Sequence, residues 1–429
     1  MIKFIERLFK VKEHSSTIRL EILAGLTTFS SMAYILVVNP TILSIGGMNF
    51  GAVLVATIIV TTIASIGIGV LGNLPFAAGP GMGVSVYITY SIILTYGGMW
   101  QEALAGVMIT SIALLVLNYF HLRIKILNAI PKMLIKAIVS GVGLFLIFVA
   151  LREIGIIKPS IKGFIVVGDL LTLEVALAIL GLIIIGVLDF FSIKGSFIIG
   201  IVSIWVISLI VGKANYQGII ALPPSLDPSF LKLDFSRFNQ WVFWRFTFSI
   251  FFVTLFDSSA AIITLKKFLH RQITGKREHL TLYSDAFGSF VGSLIGTGSL
   301  AIHLESALGI KVGGKTGLTS VVVGLCFLLC LFFYPLISSI PTFASSPILI
   351  ILGIMMNKEL RYINWKDVTD VIPTLIVIFT MPLTFSIFLG FAYGFISFTI
   401  IKLIFGKFKE ITPLCLLLSI FFLLQLVLF

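Results

Sequence analysis

Three carboxylic acids, Asp257, Asp285 and Glu305, stand in stretches of sequence that are otherwise almost free of charge. Asp257 follows the apolar run from Phe248 to Phe256, and Glu305 lies two residues beyond His303. An acid at the centre of a membrane-spanning helix costs about 2.5–3.5 kcal/mol to insert, against about 0.3–0.6 kcal/mol gained per Leu, Ile or Phe. Apolar neighbours offset that cost without explaining it, so an embedded acid marks a site by default. A buried carboxylate accepts hydrogen bonds from N–H groups and can take up and release a proton. Glu305 is the strongest candidate, because it opens a short helical segment whose dipole favours negative charge. Asp257 stays open between a second acceptor, a proton carrier and a structural acid. Asp285, early in its span, reads at least as well as a local helix cap. His303 titrates in the physiological range and joins Asp257 and Glu305 as a proton-coupling candidate. Helical spacing of two residues, however, would turn it away from Glu305.

Two further patterns carry no chemistry here. Gly309 to Thr316 satisfies the G-x-x-x-x-G-K-T phosphate-loop pattern. That loop works only between a strand and a helix of a soluble α/β core, so nucleotide hydrolysis is excluded and a Gly-rich turn between spans is expected. Cys326 and Cys330 sit four apart and Cys415 stands alone, which makes neither a metal site nor a disulfide framework. No His/Glu metal spacing or Ser/His nucleophile pair lies at one depth. The chain reads as a non-enzyme without metal or cofactor.

The elements that must position the acids follow from composition. Hydrophobic residues make up 58% of the 429 and charged residues 11%, with mean hydropathy +1.14. A soluble domain would carry roughly a quarter charged residues. Apolar runs recur at 20–38, 52–71, 81–96, 102–119, 131–151, 171–189, 194–212, 243–264, 281–295, 301–309, 317–335, 341–356, 370–388 and 390–405. A last run occupies 413–429. Most are long enough to cross a hydrocarbon core of about 30 Å. The basic, amphipathic opening is no cleavable signal peptide. With the N-terminus in the cytoplasm, twenty-three of the 30 Lys and Arg fall on the inner side and seven, Lys162 among them, on the outer. This bias is the positive-inside signal. The net charge of +12 is therefore a matter of topology, and nucleic acid is excluded as a partner.

The chain also repeats itself. Ile130-Pro131 and Ile340-Pro341 each open a span, and the paired spans after them end in Leu209-Ile210-Val211-Gly212 and Leu403-Ile404-Phe405-Gly406. Two halves of seven spans must lie inverted to one another, a design that marks secondary transporters with a site near the bilayer midplane. Each half contains one span too rich in Gly and Pro for a continuous helix. These are Gly72 to Gly83, with Ala78 and Gly81, and Gly296 to Glu305, with Thr297. An extended stretch followed by a half-helix is expected in both. Irregular backbone survives in hydrocarbon only where protein buries it or a cavity faces it. The two stretches are thus expected to pair and to aim their half-helix N-termini at one point.

These residues also resemble a known family. Glu21 to Phe29, Met32 to Leu36, Asn39-Pro40, Gly79 to Gly83, Leu255-Phe256-Asp257, Asp285 to Gly288, Glu305-Ser306-Ala307 and Gly313 to Thr319 resemble AzgA-like guanine/hypoxanthine permeases of the nucleobase–ascorbate superfamily. The resemblance spans nearly the whole chain. It implies an all-α membrane fold of fourteen spans in two inverted repeats of seven. A core domain (20–119 and 243–335) would face a gate domain (131–212 and 341–405), flanked by an amphipathic N-terminus (1–19) and an apolar tail (413–429). It further implies proton-coupled, less readily sodium-coupled, uptake of a purine base across the cell membrane by a homodimer. The base would sit between the two broken spans and the eighth span, touching Glu305, Asp257, Thr254, Ser85, Ala78, Gly81 and Thr297. Two positions depart from the family pattern: Thr254 replaces an Asp and Ser85 an Asn. These departures keep open a same-fold carrier of a pyrimidine, xanthine or an anion.

Overall fold

The computed structural model describes residues 2–159, 165–269, 273 and 275–428; Lys162 and Arg271, both counted in the charge distribution, lie outside them. Among the described residues, nine helices are long and apolar enough to cross a bilayer, and four shorter apolar helices accompany them. Long runs of Leu, Ile, Val and Phe leave water no access to the backbone, so buried peptide groups must find their partners inside the protein.

The chain opens with α1 (Ile2–Phe9), followed by α2 (Ile18–Ile45) and α3 (Phe50–Gly72). Thr17 and Asn49 begin α2 and α3 by accepting from Leu20 N and Ala52 N. Next come β1 (Ala78–Pro80), α4 (Met82–Thr95), α5 (Trp100–Tyr119) and the short α6 (Leu122–Ala129). A second group holds α7 (Lys132–Ile154), a two-stranded hairpin of β2 (Ile157–Pro159) and β3 (Ile165–Val167), α8 (Leu173–Phe190) and α9 (Ser196–Ile210). The central segment continues with α10 (Trp241–Leu269), α11 (Gly275–Ile295), β4 (Leu300–Ile302), α12 (Ser306–Val312) and α13 (Gly317–Ser338). The last group is α14 (Thr342–Tyr362), α15 (Val368–Thr384), α16 (Ile387–Ile404) and α17 (Pro413–Leu428).

Several boundaries differ from the sequence reading for identifiable reasons. The run 370–388 is not one helix: α15 stops at Thr384, Phe385 takes a left-handed conformation (φ 51°), and Ser386 caps α16. An unbroken apolar run conceals that turn. The run 281–295 begins its helix at Gly275, so Asp285 lies mid-helix and caps nothing. The basic residues ahead of 281 are polar yet helical. Of the run 301–309 only the end is helix, because 300–302 is a strand.

α3 packs on α11 and α13, the paired strands lie against α3, α10 and α11, and α7 packs on α14 and α15. The α7–α14 contact is backbone-close: a methyl added at Gly143 would lie 2.8 Å from the Gly353 carbonyl oxygen. Pro131 and Pro341 stand at the N-termini of α7 and α14 in the same way. The phrases ending at Gly212 and Gly406 close α9 and α16 alike, with φ of 71° and 70°. The outward faces of α8 and α17 expose Ile183, Val187, Leu417 and Leu424, as lipid-facing surface requires. Phe252, Phe391, Phe395 and Phe422 fill the junction of α10, α16 and α17 with rings 5.6–6.5 Å apart.

Candidate functional site

The two Gly- and Pro-rich segments are extended and paired with each other. Ala78, Gly79 and Pro80 lie opposite Ile302, Ala301 and Leu300 in an antiparallel ladder. Gly81 N–H donates to Ser299 O and His303 N–H to Ala77 O, both at 2.9 Å, which extends the pairing at each end. Pro80 has no N–H to donate, so the ladder is short by composition. The groups it leaves over are met by hydroxyls: Ala77 N–H donates to Ser306 Oγ (3.0 Å), Ala78 N–H to Ser65 Oγ (3.2 Å) and Leu300 N–H to Ser289 Oγ (2.8 Å). Irregular backbone is thus buried and satisfied at membrane depth.

α4 and α12 start immediately after the strands, so both half-helix N-termini arise beside the same ladder. Glu305 occupies the N-cap position of α12 and is 7% exposed. Its carboxylate accepts from Tyr34 Oη at 2.8 Å, and its other oxygen lies 3.4 Å from His303 Nδ1. The expectation that His303 turns away from Glu305 fails, because residues 303–305 form a turn and helical spacing does not apply there. Tyr34 reaches the acid from the bend between Met32 and Ile35 that divides α2.

Asp257 comes from the middle of α10, and its electrostatic neighbours are His303, Asp285 and Glu305. Its Oδ2 faces Gly81, where an added methyl would lie 3.3 Å away. Gly79 stands in the same relation to His303 Nε2, also at 3.3 Å. Gly79 of β1 and Gly81 just beyond it therefore leave a side-chain-free strip in front of one imidazole and one carboxylate.

The other expected contacts form a second group. Ser85 Oγ donates to Asn39 Oδ1 at 2.6 Å, and Asn39 Nδ2 donates to Thr57 (2.8 Å) and Thr297 (3.1 Å). Thr254 Oγ1 lies 2.8 Å from the Ile250 carbonyl and 2.9 Å from Ser299 Oγ, which ties α10 to the approach of β4. Ala78 has its N–H and C=O engaged with Ser65. Ser85 and Thr297 thus meet through Asn39, while Thr254 and Ala78 hold the scaffold.

Sequence reasoning missed several buried polar residues. Tyr34 and Asn39 lie in motifs that stood out only for their resemblance. Glu21 (0% exposed) and Glu102 (1%) are as buried as the acids singled out. Arg123, read as an inner-side charge, is 1% exposed and pairs with Asp285 at 3.1 Å. Glu21 also disposes of the phosphate-loop pattern. Lys315 N–H (3.0 Å), Thr316 N–H (3.2 Å) and the Thr319 hydroxyl (2.6 Å) all point at its carboxylate, so the anion seat of that loop holds an internal acid.

Comparison with known proteins places this architecture. Residues 19–393 match the model of the Permease family, Xan_ur_permease. The chain belongs to that family. The permease is 36% identical to the adenine permease AdeP of Escherichia coli strain K12 over 427 residues, covering 99% of this chain and 96% of the relative. It is 33% identical to the guanine/hypoxanthine permease PbuO of Bacillus subtilis strain 168 over 429 residues, covering 98% and 99%. Among solved structures, the transmembrane domain of a cyanobacterial bicarbonate transporter, BicA, aligns with TM-score 0.67 at 16% identity, covering 87% of this chain and 96% of that one. The murine anion transporter Slc26a9 in its inward-facing state aligns with TM-score 0.66 at 13% identity, covering 94% and 72%. The last two show a shared fold. The permease is a multi-pass membrane protein and not an enzyme, and the resemblance read from its motifs to the nucleobase permeases holds.

Proposed function

We propose that this permease carries a purine base into the cell together with a proton. The observation that carries the reading is Glu305: a buried carboxylate at a half-helix N-terminus, between two paired broken spans, held by Tyr34 and His303. A purine edge presents N–H donors, which a carboxylate accepts and an apolar pocket does not. The names of the relatives, adenine and guanine/hypoxanthine permeases, support adenine, guanine or hypoxanthine over a pyrimidine, xanthine or an anion. The base enters the strip before Gly79 and Gly81, between Glu305 and Asp257. A proton shared among Asp257, His303 and Glu305 couples its passage.

The same reading assigns the mechanics. A core of 20–119 and 243–335 carries the site, a gate of 131–212 and 341–405 packs beside it, and rocking between them exposes the site alternately. The matched closures at Gly212 and Gly406, and the matched prolines 131 and 341, support two inverted halves of seven spans. The excess of basic residues on one side supports a cytoplasmic N-terminus. Assembly as a homodimer rests on family likeness. The test is uptake of radiolabelled hypoxanthine, guanine and adenine in cells lacking purine uptake, with and without a protonophore. Saturable uptake abolished by the protonophore supports the reading, and no uptake of any base refutes it.

A further inference from the structure

A partly open cavity of about 120 Å³ lies apart from the acids, lined by Tyr87, Tyr96, Val242, Arg245, Phe246 and Phe388. Its walls continue the two helices that frame the central site. Tyr87 is six residues beyond Gly81, about 9 Å along α4, and Arg245 is twelve before Asp257, about 18 Å along α10. Phe388 comes from the start of α16, so the cavity opens between the helices that carry the site and their neighbour.

The chemistry of the lining is specific. The Arg245 guanidinium stands 4.9 Å over the Phe388 ring. Tyr96 and Phe246 form a second wall, with centroids 5.8 Å apart and planes inclined by 39°. Arg237, eight residues earlier, is neutralised by Glu102 at 3.1 Å. Among the described residues, no ion pair involves Arg245. A planar five-donor fork between aromatic faces suits a flat heteroaromatic ring that offers adjacent acceptors on one edge. A 6-oxopurine offers that edge as O6 and N7, which arginine reads with two parallel bonds; adenine presents a donor at the same place.

We propose that this cavity is a vestibular binding site on the path to the central one, selecting 6-oxopurines ahead of adenine through Arg245. This inference rests on the nucleobase reading of the central site. Arg245 acts before the acids do, and the ring passes along α4 and α10 from the aromatic cavity to the glycine strip.

The test is equilibrium binding of tritiated hypoxanthine and tritiated adenine to the full chain in lipid nanodiscs. It compares wild type, Glu305→Gln, Arg245→Ala, Arg245→Lys and the Glu305→Gln/Arg245→Ala double variant. In Glu305→Gln, which disables the central site, weaker saturable hypoxanthine binding survives and exceeds adenine binding by about tenfold. Adding Arg245→Ala removes it. The single Arg245→Ala variant keeps the tight central component, which shows that the protein is folded. Arg245→Lys keeps the charge, loses the fork and loses the preference for hypoxanthine. If wild type binds hypoxanthine but Glu305→Gln binds none, or if the Arg245 variants bind it unchanged in the Glu305→Gln background, the vestibular site is overturned and the central one stands. If wild type binds no base, both fall.

Discussion

Severing the Arg123–Asp285 pair should destabilise the fold by about 3–5 kcal/mol. Both side chains are sealed from solvent, at 1% and 0% exposure, with 3.1 Å between Nη2 and Oδ2. Removing one partner of such a pair strands a buried charge and costs about 3–5 kcal/mol, whereas removing both charges together costs far less. Arg123 also reaches the carbonyls of Leu282 and Thr254, each at 3.5 Å. Leu282 O keeps a second donor in Asn118 Nδ2 at 2.9 Å, so losing Arg123 does not orphan it. Two long hydrogen bonds together account for about 1–2 kcal/mol at most. Arg123→Met and Asp285→Asn should therefore each destabilise by about 3–5 kcal/mol. The double variant should lose only about 1–3 kcal/mol, a coupling of about 3 kcal/mol or more. Equilibrium unfolding in mixed micelles with rising dodecyl sulfate fraction, followed by tryptophan fluorescence, measures all three. A double variant as damaged as the sum of the single ones would refute the ion pair. Because Arg123 touches the carbonyl of Thr254, one turn before Asp257, the single variant should also weaken purine binding.

Three further outcomes follow. Gly81→Ala places a methyl 3.3 Å from Asp257 Oδ2 and 3.4 Å from Ala301 Cβ; it should raise the KM for purine uptake at least several-fold while the folded yield on size-exclusion chromatography stays normal. Glu153 accepts from Tyr90 Oη (2.6 Å) and Ser346 Oγ (2.7 Å), tying α7 to α4 and α14. Glu153→Gln keeps an acceptor but loses charge-assisted bonds of about 1.5–3 kcal/mol each at most, so transport should change in rate more than in affinity, read as kcat against KM in proteoliposomes. Outside the membrane, hydrogen bonds from Lys407 and Thr369 hold the Asp367 carboxyl well below the usual carboxylate range. A depressed folded-state value stabilises above the unfolded value of about 3.9 and is lost as pH falls below it. Melting from pH 6 to pH 3 should therefore lower wild type more than Asp367→Asn, which retains the helix cap.

The sequence made the broken spans legible because glycine and proline forbid a continuous helix wherever they cluster. Pairing of the two stretches followed from the need to satisfy backbone in hydrocarbon. Glu305 was legible as a candidate because an acid set in an apolar stretch is costly, while the dipole of a half-helix favours one at its start. What stayed hidden depends on tertiary burial. Glu21, Glu102 and Glu153 lie near helix ends, where a solvated acid is equally natural, and only packing distinguishes the two cases. Arg123 counted as a surface charge because its partner lies 162 positions away. His303 was misjudged by applying helical spacing to a turn. The hydroxyls of Thr254 and Ser85, expected to face the substrate, also bond Ser299 and Asn39, partners that no spacing in the sequence announces.

The most direct measurement is uptake of radiolabelled hypoxanthine into proteoliposomes under an imposed inward proton gradient, comparing wild type with Glu305→Gln. The carboxylate gives charge-assisted hydrogen bonds that a neutral amide cannot match, a difference of about 1.5–3 kcal/mol, or roughly ten- to a hundred-fold in affinity. The account predicts gradient-driven uptake by wild type and a loss of that size or greater in the variant. Glu305→Gln transporting with the KM and gradient dependence of wild type would contradict it.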